Sequence, residues 1–162
     1  MDAPTRTIQG GRRVRKVNDR YLYKAKRVHN GEWIAGHLIK VKKDFYIFEK
    51  PYECMSEHSF LDGKSYGFGG FKFVEQYTIC KCTGLKDKNG KLIWENDICD
   101  RKEKYPEIVK YHDGDWTLDY SYASNNESGF NYCNLGFYVT ERNCVEVLGN
   151  IFDNPELLEV GE

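Results

Sequence analysis

Four dipeptides, Asn30-Gly31, Asp62-Gly63, Asn89-Gly90 and Asp113-Gly114, constrain the fold of this chain more than any other feature. Each offers two residues that tolerate positive φ, which the tight primed turns of β-hairpins demand. The segments between them are rich in branched and aromatic residues, whose side chains suit a pleated, half-buried surface. RYLYKAKRV (20–28) puts Tyr21, Tyr23 and Ala25 on one face, and EWIAGHLIKV (32–41) follows directly on the first turn, which predicts a hairpin. DFYIFEK (44–50) predicts a third strand, and KFVEQYTICKC (72–82) a fourth whose register is ambiguous because Phe73 and Val74 are out of phase. EIVKYHDGDWTLDYSY (107–122) predicts a second hairpin about Asp113-Gly114, with LGFYVT (135–140) and NCVEVLGNIF (143–152) as closing strands.

Helical signals are confined to DNPELLEV (153–160), where Asn154 is placed to cap, Pro155 takes the first helical position and Leu157 and Leu158 can fold back on the sheet. The turns are 32, 27 and 24 residues apart without matching sequence, so there is no internal repeat. The expected fold is all-β or β-dominant α+β: a strongly bent antiparallel sheet or small β-barrel with a short C-terminal helix, since curvature or closure removes open sheet edges.

The formal net charge of -1 conceals an asymmetry. Residues 1–27 hold nine Lys/Arg against two Asp, a net of +7, whereas residues 28–162 hold fifteen against twenty-three acids, a net of -8. Residues 1–17, containing GGRRVRK, read as a flexible basic arm, either a frayed terminus or vector-derived, ahead of a single domain over 18–162. Arg12, Arg13, Arg15 and Lys16 could grip phosphates by releasing counterions. The acidic domain behind them has the wrong sign for a nucleic-acid footprint. The arm lacks the apolar stretch of a secretory leader, and no apolar run approaches the roughly 20 residues of a membrane span. A cytoplasmic protein is expected, its six cysteines free thiols.

Chemistry is sparse. Cys80 and Cys82 share a face if their segment is a strand, but they lack the second ligand pair that zinc requires, and they read as small buried hydrophobes. None of His29, His37, His58 and His112 stands beside a recognisable nucleophile motif, and GFGG (67–70) lacks the helix and Lys-Ser/Thr pair of a phosphate loop. Glu95 and Asp97 read as a solvated strand end. Gly-rich 63–70 and 125–129 read as long loops, the usual home of binding function on a β scaffold. No catalytic residue, metal or cofactor is expected.

The richest stretch is TGLKDKNGKLIWENDIC (83–99). Asn89-Gly90 forms its turn, Lys86, Lys88 and Lys91 solubilise the tip or touch a phosphate backbone, and Leu92 and Trp94 take one face while Ile93 takes the other. Asp97 is suited to bonding backbone amides where the next strand begins. Together with EVLGNIFDNPELLE (146–159) and the opening NDRYLYKAKRVHNGEWIAGHLI (18–39), this stretch resembles the YopX family of phage and prophage proteins, over about residues 20–159. CKCTG and Cys99 depart from the family's Gln-Tyr and Val, which makes Cys82 and Cys99 packing positions. The resemblance implies a β-rich fold with a small barrel-like C-terminal part, acting in bacterial cytoplasm. It brings no catalytic residues.

The expected function is therefore a non-enzymatic phage accessory protein that binds a protein partner or itself, as a homo-oligomer. The alternatives are a nucleic-acid-binding accessory using the basic arm and the 86–91 tip, and a hydrolase or nuclease whose carboxylates assemble only in three dimensions.

Overall fold

The computed structural model describes residues 19–49, 70–123 and 131–159, which form two antiparallel sheets. The first has six strands in the order β4-β3-β2-β1-β5-β6, with β1 Tyr23–Lys26, β2 Trp33–Val41, β3 Asp44–Phe48, β4 Phe71–Phe73, β5 Cys80–Lys86 and β6 Leu92–Trp94. The second has five in the order β10-β9-β8-β7-β11, with β7 Asp97–Asp100, β8 Glu107–His112, β9 Asp115–Asp119, β10 Tyr132–Asn134 and β11 Glu146–Asn150. The β-dominant class is as expected, but among the described residues neither sheet closes into a barrel.

The hairpins follow their turn chemistry to different degrees. Asp113 and Gly114 both have positive φ (49° and 92°), and His112 pairs with Asp115 across them, so this is the primed two-residue turn the dipeptide predicts. At Asn30-Gly31 the paired ends are Lys26 and Trp33, and the Gly31 amide donates to the Arg27 carbonyl, giving a wider loop in place of a two-residue turn. At Asn89-Gly90 the Asp87 amide donates to the Lys91 carbonyl, and Gly90 supplies the left-handed residue with φ 82°. Asp62-Gly63 lies outside the described residues, as do the loop expected at 63–70, apart from Gly70, and the loop expected at 125–129.

Several segments differ from their sequence reading. RYLYKAKRV opens with a 3₁₀ turn, Asp19–Tyr21, which leaves Tyr21 exposed and out of the face expected for it with Tyr23 and Ala25. KFVEQYTICKC is broken by a 3₁₀ turn at Gln76–Thr78, because the Thr78 hydroxyl accepts from the Lys26 amide (2.9 Å) and donates to the Glu75 carbonyl (2.8 Å). LGFYVT is a helix, α1 Leu135–Thr140, although its residues favour strands. Asn134 makes it so by accepting from the Phe137 amide at 2.7 Å, an N-cap that outweighs propensity. DNPELLEV shortens to a 3₁₀ turn, Pro155–Leu158, and Asn154 does not cap it. Its side-chain oxygen accepts from the Asn150 amide instead.

Among the described residues burial falls into three clusters. Ala25, Ile34, Ile47 and Val74 fill one face of the first sheet. Cys80, Cys82 and Trp94 pack with Leu22, Trp33, Leu92 and Phe152. Cys99, Val109, Leu118 and Val147 of the second sheet pack under Leu135 of α1 together with Ile93, which comes from β6 of the first sheet. The β5–β6 hairpin thus belongs to one sheet by hydrogen bonding and to the other's core by packing.

Candidate functional site

The stretch 83–99 is the seam between the sheets. Asp87, which is buried, accepts from the amides of Asn89 (2.9 Å) and Lys91 (2.9 Å) in its own turn and from Val147 of β11 (3.1 Å). Burial raises its pKa, but these three amides outweigh that, and the carboxyl sits below its ordinary value. Lys88 pairs with Glu146 at 2.5 Å, so the middle lysine of the tip is held against β11, while Lys86 and Lys91 remain exposed. Ile93 and Trp94 enter different cores, and Trp94 is buried. Asp97 is no solvated strand end: it is buried, accepts from the Trp94 amide at 2.8 Å and meets Lys24 of β1 at 2.6 Å. The two long motifs meet directly, since β7 pairs with β11 from Asp97–Asn150 to Asp100–Glu146.

The other sequence candidates are scattered. Arg12, Arg13, Arg15 and Lys16 lie outside the described residues, as do Cys54 and His58. Cys80 and Cys82 share a buried face, and burial pushes the Cys80 thiol up to about 11. Cys99 is wholly buried. Among the described residues no three His, Cys, Asp or Glu side chains gather where a metal could sit.

A cleft that the sequence reading missed opens at the far end of the second sheet. It encloses about 350 Å³ and is lined by Arg101, Glu103, Lys104, Tyr105, Glu107, Tyr120, Cys133 and Tyr138. Glu107 begins β8 opposite Cys99, so its register turns it to the core face. Arg101, just past β7, reaches back with Nε and Nη2 to both carboxylate oxygens (2.6 and 2.5 Å), a bidentate fork, and both side chains are buried. Burial raises the Glu107 pKa, opposed by Arg101, while the Glu107 hydrogen bond drives the Arg101 pKa upward. The Tyr138 ring from α1 stacks on the guanidinium at 3.9 Å. Cys133 lies 4.0 Å from Glu107, and burial lifts its thiol to about 11, which keeps it protonated and a poor nucleophile at neutral pH. The Tyr122 hydroxyl donates to the Pro106 carbonyl at 2.8 Å and tethers the 101–106 connection. RKEKYPE (101–107) is a dense charge run that leads into β8 at Glu107, a signal that marks a connection but not the partners it finds in space.

Two open antiparallel sheets, sewn together by the 83–99 and 146–159 motifs, define a β-dominant protein with a tyrosine-lined cleft on its second sheet. The YopX protein family model matches residues 22–159, and the chain belongs to that family. No curated protein matches it. Among the described residues no helix is long and apolar enough to cross a membrane.

Proposed function

We propose that this chain is a non-enzymatic accessory protein of a phage or prophage, working in the host cytoplasm by binding a protein partner through the cleft beside Arg101 and Glu107. The observation that carries this reading is the state of the cleft's charged groups. Among the described residues Glu107 is locked in its fork to Arg101 and the Cys133 thiol is buried and raised, so neither of these inner groups is poised as base or nucleophile, while Glu103 stands exposed at the rim, 3.8 Å from the same guanidinium. What the cleft offers is tyrosine surface, which gives large contact area at low entropic cost and is enriched at protein interfaces.

A photo-crosslinking residue in place of Tyr105 tests it in lysogenic cells. The expected result is one defined crosslinked protein, lost with the Lys104→Glu variant. Diffuse crosslinking unaffected by that variant would overturn the reading. Should the crosslinked protein be a second copy of this chain, light scattering will report a dimer that the same variant dissociates.

The nucleic-acid alternative retains support from Lys86 and Lys91, both exposed at the hairpin tip. It requires binding that weakens steeply with salt and falls when both lysines are replaced.

A further inference from the structure

We propose that the cleft takes an acidic side chain adjoining an aromatic one, presented by a partner protein, with the carboxylate on Lys104 and the ring against Tyr105. This rests on reading the cleft as a recognition surface and adds the chemistry of what is recognised. The sign of the ligand follows from the cations already in place. Arg101 covers the Tyr138 ring at 3.9 Å, and the Lys104 ammonium lies 4.8 Å from the Tyr105 ring centre. Two of the three tyrosines thus hold a cation of the chain itself beside the ring, and an incoming ammonium would meet like charge there.

The floor is neutral, because Arg101 and Glu107 cancel in their bidentate pair. The rim is not. Among the described residues no carboxylate pairs with Lys104, whereas Glu103 leans toward Arg101. The guanidinium Nη1 takes no part in the fork to Glu107 and is only 3.8 Å from Glu103, too long for a hydrogen bond, so it has donor capacity toward the cleft. An anion entering here gains the Lys104 ammonium and part of Arg101. About 350 Å³ admits one aromatic group with a carboxylate, at the lower end of ligand-sized clefts. A nucleic acid fits worse, since residues 28–162 carry a net charge of -8 that repels an extended polyanion, while a single carboxylate feels mainly the nearby cations.

The test titrates the ¹⁵N-labelled full chain with phenylacetate, with phenethylammonium of matching size and with inorganic phosphate. Phenylacetate is expected to move the amide signals of 101–105 and 133–138 in the millimolar range, as its few atoms allow. Lys104→Glu should weaken it about fivefold, the upper end for one exposed charge contact. Tyr105→Ala should weaken it as well. Both side chains lie at the cleft rim, and an otherwise unchanged spectrum confirms that the variants fold. The proposal is overturned if phenethylammonium binds as well as phenylacetate, if phosphate alone moves the same signals as strongly, or if Lys104→Glu leaves the phenylacetate affinity unchanged. Fragment binding of the expected kind, with no protein crosslinked from Tyr105, supports the ligand chemistry and removes the protein-partner reading. A crosslinked partner with no phenylacetate response does the reverse.

Discussion

At the scale of single residues, the buried acids of this protein are structural ties. Asp87 satisfies three amides, two in its own turn and one across the seam. Removing the carboxylate strands these donors, Val147's in a buried setting and the two turn amides in a part-buried one, at roughly 1 kcal/mol each. Asp87→Ala should therefore lower unfolding free energy by about 3 kcal/mol in urea titrations, and Asp87→Asn, which keeps one acceptor, by about half as much. A loss within experimental error would mean that the β5–β6 turn holds without its aspartate. Asp153 works at the surface: it accepts from Trp33 Nε1 (2.5 Å) and Asn150 Nδ2 (2.9 Å) and pairs with Lys26 (2.5 Å). Burial opposes ionisation, yet these partners win and hold its pKa at about 2 against an ordinary 3.8. A carboxyl that ionises more readily folded than unfolded stabilises the fold above its unfolded pKa. That contribution disappears as pH falls through the folded value. The melting-temperature gap between the native chain and Asp153→Asn is therefore expected to close between about pH 4 and pH 2. Because the pair is partly exposed, added salt should narrow the gap at neutral pH.

At the scale of elements, close approach decides where substitution is tolerated. Gly36 of β2 is buried against the end of β3, and a Cβ there would stand 2.7 Å from the Phe48 carbonyl carbon and 3.0 Å from Glu49 Cα. Backbone cannot swing aside as a side chain can, so Gly36→Ala should cost about 2–3 kcal/mol as β3 is forced away. Asn134→Ala removes the cap of α1 and is expected to cost about 1 kcal/mol, seen as faster amide exchange in Leu135–Thr140. These two elements also show what was legible in the sequence. Asp113-Gly114 was readable because its turn needs only its own two residues, and alternation fixed which side of β6 each of Ile93 and Trp94 would take. LGFYVT misled because its composition favours strand while the deciding atom sits one residue earlier, on Asn134. The break within 72–82 depended on the Lys26 amide, fifty-two positions away. The cleft was illegible for the same reason: Arg101 and Tyr120 follow β7 and β9, Cys133 lies on β10 and Tyr138 on α1, and no spacing along the chain announces their meeting.

At the scale of the whole molecule, the question is whether two sheets make one folding unit. Two features argue that they do. Ile93 and Leu85 of the β5–β6 hairpin pack in the second sheet's core, so that core is incomplete without the first sheet. Lys24 of β1 reaches Asp97 of β7 at 2.6 Å, between the rings of Trp33 and Trp94 at 5.0 and 5.6 Å, where Asp97 is only 2% exposed. Burial raises the Asp97 pKa despite Lys24, so forming this pair stabilises little in itself, but breaking it leaves a charge in the core. Lys24→Met should cost about 3 kcal/mol, and adding Asp97→Asn should cost less than the two single losses combined, the signature of a coupled pair. Native-state hydrogen exchange then decides the larger point. If the sheets unfold together, the amides of Ile47 in one core and Leu118 in the other exchange with the same opening free energy, and Lys24→Met lowers both equally. An Ile47 value well below that of Leu118, or one that Lys24→Met moves alone, would show two separate units joined by a strap. In that case the 83–99 and 146–159 motifs would be holding together parts that fold independently, and Asp87→Ala, which frees amides in the β5–β6 turn and on Val147 of β11, should lower the opening free energies of the two sheets by different amounts.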